Sequence, residues 1–237
     1  MKECISVSMG KRAAGFQAAE YVRDGMIVGF GTGSTADYFT EKVGILLQEK
    51  KLKDIVGVPT SKRTEALMRE WNIPVVSLDE VERIDFLVDG ADETTDRFEG
   101  IKGGGGALLY EKIVAQYSNE IIWIVTPDKL VPQLGAFPLP VEVIPFGSWK
   151  LFYEFERRGY RPAFRKAGED QLFRTDAGNY IIDLHLEKID NPEQLALELS
   201  TLVGVVEHGL FLNYPDGIIV GNIDGTTREI LREEKFL

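Results

Sequence analysis

Cysteine and histidine are scarce in this sequence of 237 residues, which has one cysteine, Cys4, and two histidines, His185 and His208. A single cysteine excludes a disulfide framework within the chain and a zinc site built on cysteines. The chain also has no HExxH motif and no pair of histidines at helical spacing, so a histidine-rich metal centre has no basis. We therefore expect no metal and a protein of the reducing cytoplasm.

Long apolar runs and an excess of basic residues are also missing. No stretch approaches the roughly 20 apolar residues that cross a bilayer, and residues 1–10 lack the apolar run of a secretory signal. Lysine and arginine number 27 against 38 aspartates and glutamates, which gives a formal net charge of −11. Such an acidic surface repels nucleic acid and anionic lipid. We expect a cytoplasmic protein that binds neither, although local lysines and backbone N–H groups still permit an anionic small molecule.

The first half of the chain alternates segments of helical spacing with short apolar runs. Helical spacing predicts helices over residues 14–22, 36–47, 63–71 and 107–117. Apolar runs predict strands over residues 26–30, 55–58, 74–78, 84–88 and 121–125. Strands that alternate with helices are typical of a parallel sheet with helices on its faces.

After residue 134 the pattern changes. It predicts, in order, a strand, a helix, two β segments of which the second contains a hairpin turn at 176–179, another helix and a final strand, over residues 139–143, 148–158, 161–166, 171–186, 191–202 and 205–211. This β-α-β-β-α-β order is typical of a ferredoxin-like unit. One more apolar strand, at residues 218–221, could return to the first sheet.

We therefore predict an α/β fold, with a parallel Rossmann-like sheet and an inserted ferredoxin-like α+β domain. The expected domains are residues 1–134 together with 208–237, which would bind substrate and carry the chemistry, and residues 135–207.

The first motif, GFGTGSTA at residues 29–36, joins a predicted strand to a predicted helix. Glycines allow a sharp turn, and N–H groups at a helix N-terminus attract anions, so a phosphate fits. The alternative is a tight turn in which Ser34 or Thr35 caps the helix. The motif is no Walker A loop, since no lysine follows its last glycine. It also matches G-x-G-x-x-A, but residues 58–62 supply no carboxylate for a ribose, which disfavours NAD and leaves NADP open.

The second motif, DGADE at residues 89–93, directly follows a predicted buried strand. Ligands of open α/β sheets gather beyond the carboxyl ends of the strands. Carboxylates suit sugar hydroxyls and transfer protons. A magnesium site and a solvated acidic turn are the alternatives.

The third motif, KGGGGA at residues 102–107, precedes a helix that contains Glu111. Consecutive glycines cost about 1 kcal/mol each relative to alanine, so close approach of the backbone to a ligand explains them better than a flexible linker does. For Glu111 the alternative is an exposed glutamate beside Lys112.

Together these motifs resemble ribose-5-phosphate isomerase type A, whose pattern of TGST, DGADE, KGGGG or KGGGA and a helix with a Glu-Lys pair is met in order. Residues 137–145 also resemble that family's stretch before its small domain. The likeness runs from about residue 11 to residue 225, while residues 226–237 match no motif.

The resemblance implies an aldose–ketose isomerase that interconverts ribose 5-phosphate and ribulose 5-phosphate through an enediolate, in the non-oxidative pentose phosphate pathway. No metal or nicotinamide is implied, and a homo-oligomer, at least a dimer, is expected. Glu111 would be the catalytic base, with Asp89 and Lys102 as further catalytic residues. The implied substrate-binding residues are Thr32, Gly33, Ser34, Thr35, Asp89, Gly90, Ala91, Asp92, Lys102, Gly103, Gly104, Gly105, Lys129 and Lys11.

Two other functions remain as alternatives. A non-catalytic sugar-phosphate sensor joined to a DNA-binding module would carry a helix-turn-helix and a basic face, and neither is visible. A CoA transferase would use a glutamate nucleophile on a related fold, but it needs a longer substrate groove and is usually a larger chain.

Overall fold

The computed structural model describes residues 2–232, with side chains from residue 8 onward. The chain forms two compact units: Met1–Ala91, Tyr110–Leu130 and Tyr214–Leu237 make the first, and Asp92–Leu109 and Val131–Asn213 make the second. The domain boundaries expected from the sequence, at residues 134/135 and 207/208, stay a prediction. Within the described residues, every helix is too short or too polar to span a bilayer.

Thirteen strands and six helices follow one another along the described chain. In chain order they are α1 (Lys2–Ala19), β1 (Ile27–Phe30), α2 (Ala36–Gln48), β2 (Val56–Pro59), α3 (Lys62–Glu70), β3 (Ile84–Gly90), β4 (Glu93–Thr94), β5 (Glu99–Ile101), α4 (Leu108–Gln116), β6 (Ser118–Val125), β7 (Leu139–Val143), α5 (Ser148–Arg157), β8 (Pro162–Phe164), β9 (Tyr180–Leu184), α6 (Pro192–Ser200), β10 (Val205–His208), β11 (Leu210–Leu212), β12 (Gly217–Gly221) and β13 (Thr227–Leu231).

The first unit is built on a six-stranded sheet in the order β13-β12-β6-β3-β1-β2. All neighbours in it are parallel except β12 and β13, which pair antiparallel. Buried parallel strands read as continuous apolar runs because helices cover both faces, and Phe30, Val88 and Ile219 join one core with Phe39 of α2. The predicted parallel α/β sheet is confirmed.

The order of this sheet decides which loops become neighbours. β1, β3 and β6 are adjacent and parallel, so their carboxyl ends lie at one edge. Residues 31–35 follow β1, Lys129 follows β6, and Asp89 and Gly90 are the last residues of β3, with Ala91 directly after them. Ligands of open α/β sheets bind at this edge, which makes it the place to look for a site in the first unit.

The second unit contains the predicted β-α-β-β-α-β series, from β7 to β10. Its four strands form an antiparallel sheet in the order β10-β7-β9-β8, and Val141, Ile182, Phe155 and Leu199 meet in its core. The predicted ferredoxin-like order is therefore confirmed. A second, three-stranded sheet, β11-β5-β4, was not predicted.

Two elements differ from the prediction in extent: the helix expected over residues 14–22 is Lys2–Ala19, and the β segment expected over 171–186 is a strand only at Tyr180–Leu184. Three others differ in kind. The predicted strand 74–78 is wrong: only a single bridge joins Val75 to Gly57, and a capping box between Ser77 and Glu80 starts a short 3-10 helix there. The single strand predicted at 205–211 is two strands, β10 and β11, which belong to different sheets and meet at Gly209. Residues 226–237, for which no motif was found, contain β13; residues 233–237 lie outside the described part.

Glu142 is a carboxyl group in the core of the second unit. It lies on β7 with 0% of its surface exposed. One of its oxygens, Oε1, accepts hydrogen bonds from Thr175 Oγ1 at 2.8 Å and from Asn179 Nδ2 at 2.9 Å. Burial is the largest cause that raises the pKa of Glu142 above its usual value, and the nearby carboxylates of Glu207 and Asp176 raise this pKa further, while the two hydrogen bonds oppose the shift.

Glu142→Gln should make stability less dependent on pH. Because the pKa of Glu142 is raised on folding, its contribution to stability is present below the usual value of 4.5 and is lost as pH rises through the folded pKa. The melting temperature of the variant minus that of the wild type should therefore increase as pH rises from about 4 to 8. Thermal unfolding across that range measures it. Glu154→Gln is the opposite control, because Arg157 and then Arg158 lower the pKa of Glu154; a difference that stays constant for Glu142→Gln would contradict the prediction.

Candidate active site

The loop after β1 lies directly against the end of β3. The Gly31 N–H donates to the Val88 carbonyl at 2.9 Å. A Cβ added to Gly31 would lie 2.2 Å from Asp89 Oδ1, a distance that no side chain tolerates. Glycine is therefore needed at position 31, because it lets the first motif approach the carboxylate of the second.

Thr32 ties this loop to the start of α3. Its hydroxyl forms hydrogen bonds with Thr60 Oγ1 at 2.7 Å, Ser61 Oγ at 2.8 Å and Thr64 Oγ1 at 3.0 Å. Ser61 is the N-cap of α3 and accepts from the Thr64 N–H. The Thr32 N–H donates to Asp89 Oδ1 at 3.1 Å. Thr32 thus shapes the loop through both its hydroxyl and its backbone.

Ser34 and Lys11 are brought together in front of α2. Lys11 Nζ donates to Ser34 Oγ at 2.8 Å, and Ser34 is exposed. Thr35 precedes the helix, but its side chain makes no capping hydrogen bond. Gly33 completes the loop with a φ of +134°. An ammonium group and a hydroxyl beside a helix N-terminus form an environment that suits a phosphate.

Asp89 is a buried carboxylate at the end of β3, with 1% of its surface exposed. Its Oδ1 accepts from the N–H groups of Thr32 at 3.1 Å and of Gly90 at 2.7 Å. Gly90 ends β3 and Ala91 follows it at the same sheet edge. The two N–H groups fix the carboxylate at the carboxyl end of the strand.

Glu111 lies in the first turn of α4, as predicted, and only 3% of its surface is exposed. The alternative of an exposed surface glutamate is therefore wrong, and Lys112 beside it is also buried. Lys129 closes a short 3-10 helix after β6. Its side chain is 35% exposed and lies 3.8 Å from Asp128, so it is accessible to a ligand.

In the second unit, the acidic motif continues with Asp92 and Glu93. Asp92 donates its N–H to the Ile101 carbonyl at 2.8 Å, and its Oδ2 accepts from the Gly104 N–H at 2.7 Å. The buried Glu93 accepts from the N–H groups of Gly135 and Phe137, each at 2.7 Å. Glu93 is thus a structural carboxylate, whereas Asp92 is tied to the glycine loop.

No metal-type cluster of three or more His, Cys, Asp or Glu side chains occurs among the residues with described side chains. The carboxylates of the acidic motif instead accept hydrogen bonds from separate backbone N–H groups. The expectation that no metal is required stays a prediction.

Lys102 is a buried cation at the start of the glycine loop, with 3% of its surface exposed. Its N–H donates to the Gly209 carbonyl at 2.9 Å, and its ammonium lies 5.4 Å from the centroid of the Phe211 ring. Gly103, Gly104 and Gly105 follow it, the last two exposed. A buried ammonium acts more strongly on a nearby oxyanion than an exposed one does, because water screens it less.

This arrangement can be compared with known proteins. A family model described as ribose 5-phosphate isomerase A (phosphoriboisomerase A) matches residues 56–225. The chain belongs to this family. Ribose-5-phosphate isomerase A of Limosilactobacillus reuteri is 55% identical over 215 residues, which cover 91% of this chain and 94% of the relative.

Solved structures of the isomerase family agree with the fold. A D-ribose-5-phosphate isomerase in complex with phospho-erythronic acid has a TM-score of 0.91 and 38% identity, covering 95% of this chain and 99% of that one. Ribose 5-phosphate isomerase from Plasmodium falciparum has a TM-score of 0.90 and 33% identity, covering 96% and 100%. The resemblance drawn from the motifs is confirmed, and the sensor and the CoA transferase are not favoured. The roles of individual residues stay predictions.

Sequence reasoning missed several residues that shape these loops. Thr60, Ser61 and Thr64 form a hydroxyl cluster around Thr32, and a run of Ser and Thr at the end of a predicted strand was the signal available. Arg165 binds the glycine loop through its guanidinium, and nothing in its local sequence indicated this.

Gly31→Ala should damage both stability and catalysis. The added methyl group would force the loop and the Asp89 carboxylate apart, at a cost of about 1–3 kcal/mol for overpacking. If Asp89 takes part in the reaction, as the resemblance implies, displacing it by about 1 Å should lower kcat by about 10²-fold. Gly168→Ala is the matched control, since a Cβ there meets no atom within 4 Å. Thermal unfolding and isomerase kinetics measure both effects. An unchanged melting temperature in Gly31→Ala would contradict the close approach, and a normal kcat would contradict a catalytic role for Asp89.

Proposed function

We propose that this member of the isomerase family interconverts D-ribose 5-phosphate and D-ribulose 5-phosphate through a 1,2-enediolate, as a step of the non-oxidative pentose phosphate pathway. The observation that carries the proposal is the burial of a single helical carboxylate, Glu111, directly after the glycine loop in sequence. A carboxylate takes up the weakly acidic C2 proton only if the developing oxyanion is stabilised elsewhere.

Glu111 is the proposed base that takes the C2 proton and returns it to C1. It occupies the first turn of α4, and helical side chains lean toward the N-terminus of their helix. Its burial limits contact with bulk water, which strengthens electrostatic effects nearby.

Lys102 and the N–H groups of its loop are the proposed oxyanion donors. The ammonium of Lys102 is buried beside an aromatic ring. The Gly104 N–H is already engaged by Asp92 and the Gly106 N–H by the Gly103 carbonyl. Gly103 is buried and Gly105 is exposed, so Gly105 is the proposed loop donor to the substrate. Preorganised donors of this type are the largest single contribution in many enzymes.

The two aspartates receive different roles in the proposal. Asp89 opens the sugar ring and passes protons between O1 and O2. Its fixed Oδ1, held by two N–H groups, keeps the carboxylate in one orientation for that transfer. Asp92 holds a substrate hydroxyl in register.

The distal phosphate and hydroxyls are assigned to Ser34, Thr35, Lys11 and Lys129. The hydrogen bond between Lys11 and Ser34 supports a shared anion site in front of α2. The complex of a related isomerase with phospho-erythronic acid supports the enediolate, because the planar carboxylate of that acid presents two oxygens as an enediolate does.

Glu111→Gln should abolish most turnover. Glutamine keeps the shape and hydrogen bonding of the side chain but cannot accept the proton, and general-base catalysis is worth about 10²–10⁴-fold in kcat. KM should change little. Incorporation of solvent deuterium into the sugar should fall with kcat. Glu156→Gln, at an exposed helical glutamate, is the control. Normal turnover and exchange in Glu111→Gln would exclude it as the base and point to Asp89.

Substitution of Lys129 and of Lys102 should separate binding from chemistry. Lys129→Ala should mainly raise KM, because the side chain is assigned to the phosphate or a distal hydroxyl. Lys102→Ala should mainly lower kcat, by about 10²–10³-fold as for other oxyanion donors. Lys150→Ala, on the exposed face of α5, should change neither. Equal rises in KM alone for both variants would remove Lys102 from the chemical step.

A cytoplasmic homo-oligomer, at least a dimer, completes the proposal. Its support is an aromatic face in the second unit, where Phe146, Trp149 and Tyr153 are half or more exposed around α5. Light scattering at micromolar concentration should give at least twice the chain mass of 26.6 kDa. Trp149→Glu combined with Tyr153→Glu should lower this mass if that face forms the contact. A monomer mass for the unaltered chain would refute the oligomer.

A further inference from the structure

Arg165 in the second unit divides its guanidinium between two sets of acceptors. Nε and Nη2 donate to the two carboxylate oxygens of Asp183. Nη1 donates to the backbone carbonyls of Gly103 at 2.7 Å and Gly104 at 3.0 Å. One arginine therefore joins the sheet of the second unit to the glycine loop.

The sheet holds the guanidinium in a fixed place. Arg165 directly follows β8, and its N–H donates to the Ile181 carbonyl at 2.9 Å. Asp183 lies on the neighbouring β9, and its side chain and that of Arg165 are only 16% and 15% exposed. The bidentate pair with Asp183 already fixes the plane of the guanidinium. Its remaining nitrogen, Nη1, therefore reaches the glycine loop in one orientation.

Phe173 supports the same loop from the same side. Its N–H donates to the Arg165 carbonyl at 2.9 Å, and its ring centroid lies 6.0 Å from the guanidinium carbon. Gly106 has a φ of +82°, and a Cβ there would lie 2.4 Å from the Phe173 ring. The loop is thus seated on an aromatic ring at one residue and hydrogen-bonded to the arginine at two others.

Through the geometry of the peptide unit, the bonds of Arg165 to two carbonyls also orient the N–H groups of the residues that follow them. In a planar trans peptide the C=O and the next N–H point in opposite directions. The Gly103 carbonyl shares its peptide with the Gly104 N–H, which donates to Asp92. The Gly104 carbonyl shares its peptide with the Gly105 N–H. Arg165 therefore fixes two N–H directions, one toward Asp92 and one away from the guanidinium.

We infer that Arg165 is a positioning residue for the isomerisation: it locks the two glycine peptides so that Gly105 presents its N–H to the enediolate oxygen. This inference rests on the proposed function and deepens it. The Gly106 N–H donates to the Gly103 carbonyl at 2.9 Å and closes a turn around the Gly104–Gly105 peptide. That central peptide joins two glycines and can adopt either orientation in such a turn, so the bond from Arg165 to the Gly104 carbonyl selects one of them. The cation also polarises the Gly104 carbonyl, which makes the N–H of the same peptide a stronger donor.

Arg165→Lys tests the lock directly. Lysine keeps the positive charge but cannot bind Asp183 through two parallel bonds and both carbonyls at once. We expect kcat to fall by about 10- to 100-fold, somewhat less than for loss of an entire oxyanion donor, while KM for ribose 5-phosphate changes by less than about threefold. Inhibition by phospho-erythronic acid should weaken by about the same factor as kcat, because an analogue of the enediolate reports on the same donors.

Arg161→Lys is the matched control. Arg161 lies at the other end of β8, and its guanidinium also binds a backbone carbonyl and a carboxylate, those of His185 and Glu187. Its contacts do not include the glycine loop, so kcat and inhibition should stay at wild-type values. Circular dichroism and thermal unfolding of both variants establish that they fold.

A rescue experiment separates positioning from general structural support. Methylguanidinium added to Arg165→Ala should restore part of kcat, and methylamine at the same concentration should not. If Arg165→Ala does not fold, Arg165→Lys and Asp183→Asn decide the question. A wild-type kcat in Arg165→Lys, an equal loss in Arg161→Lys, or parallel rises in KM and in the inhibition constant would each overturn the inference. An unaltered chain that fails to isomerise ribose 5-phosphate would instead overturn the proposed function.

Discussion

Hydrogen bonds from backbone N–H groups to carboxylates hold the functional loops of this protein in shape. Asp89 binds the N–H groups of Thr32 and Gly90, and Asp92 binds that of Gly104. Each of these bonds involves a charged acceptor, and such bonds contribute about 1.5–3 kcal/mol. Carboxylates crowded into five residues would otherwise repel one another. N–H donors from different loops offset that repulsion and fix each carboxylate in place.

The same acidic motif therefore contains side chains with different duties. Glu93 accepts hydrogen bonds from the Gly135 and Phe137 N–H groups and so shapes the segment before β7. Asp89 and Asp92 instead accept from Thr32, Gly90 and Gly104, in the loops that are assigned to the sugar. Because each carboxylate of the acidic motif accepts from its own backbone N–H groups, no shared divalent cation is needed to explain why these carboxylates are close in sequence.

The fold could be predicted where local pattern and long-range pairing agree. The apolar runs of β1, β3 and β6 are buried parallel strands, and such runs have few other stable arrangements. Residues 74–78 have a similar apolar content, but a capping box between Ser77 and Glu80 starts a 3-10 turn instead. That spacing of Ser and Glu is visible in the sequence, so this error was avoidable. The split of residues 205–211 between two sheets depends on distant partners and was not.

The candidate site shows the same division. The glycines, the aspartates and Glu111 lie in short sequence motifs, and the neighbouring residues in each motif indicate its chemistry. Arg165 is separated from Gly103 by 62 positions in sequence, and a lone arginine in a β segment is typical of a solvated surface. Only the folded backbone brings it to the loop.

The position of β12 in the chain has a consequence for how the protein is made. β6 ends at Val125, yet its second neighbour in the sheet, β12, begins only at Gly217. During synthesis on the ribosome, the edge of β6 that pairs with β12 stays unpaired while most of the second unit is synthesised. Unpaired edges of slowly completed parallel sheets are prone to aggregate. Early folding of the β7–β10 sheet, whose strands are close in sequence, would shorten the loop that must close and so speed the completion of the larger sheet.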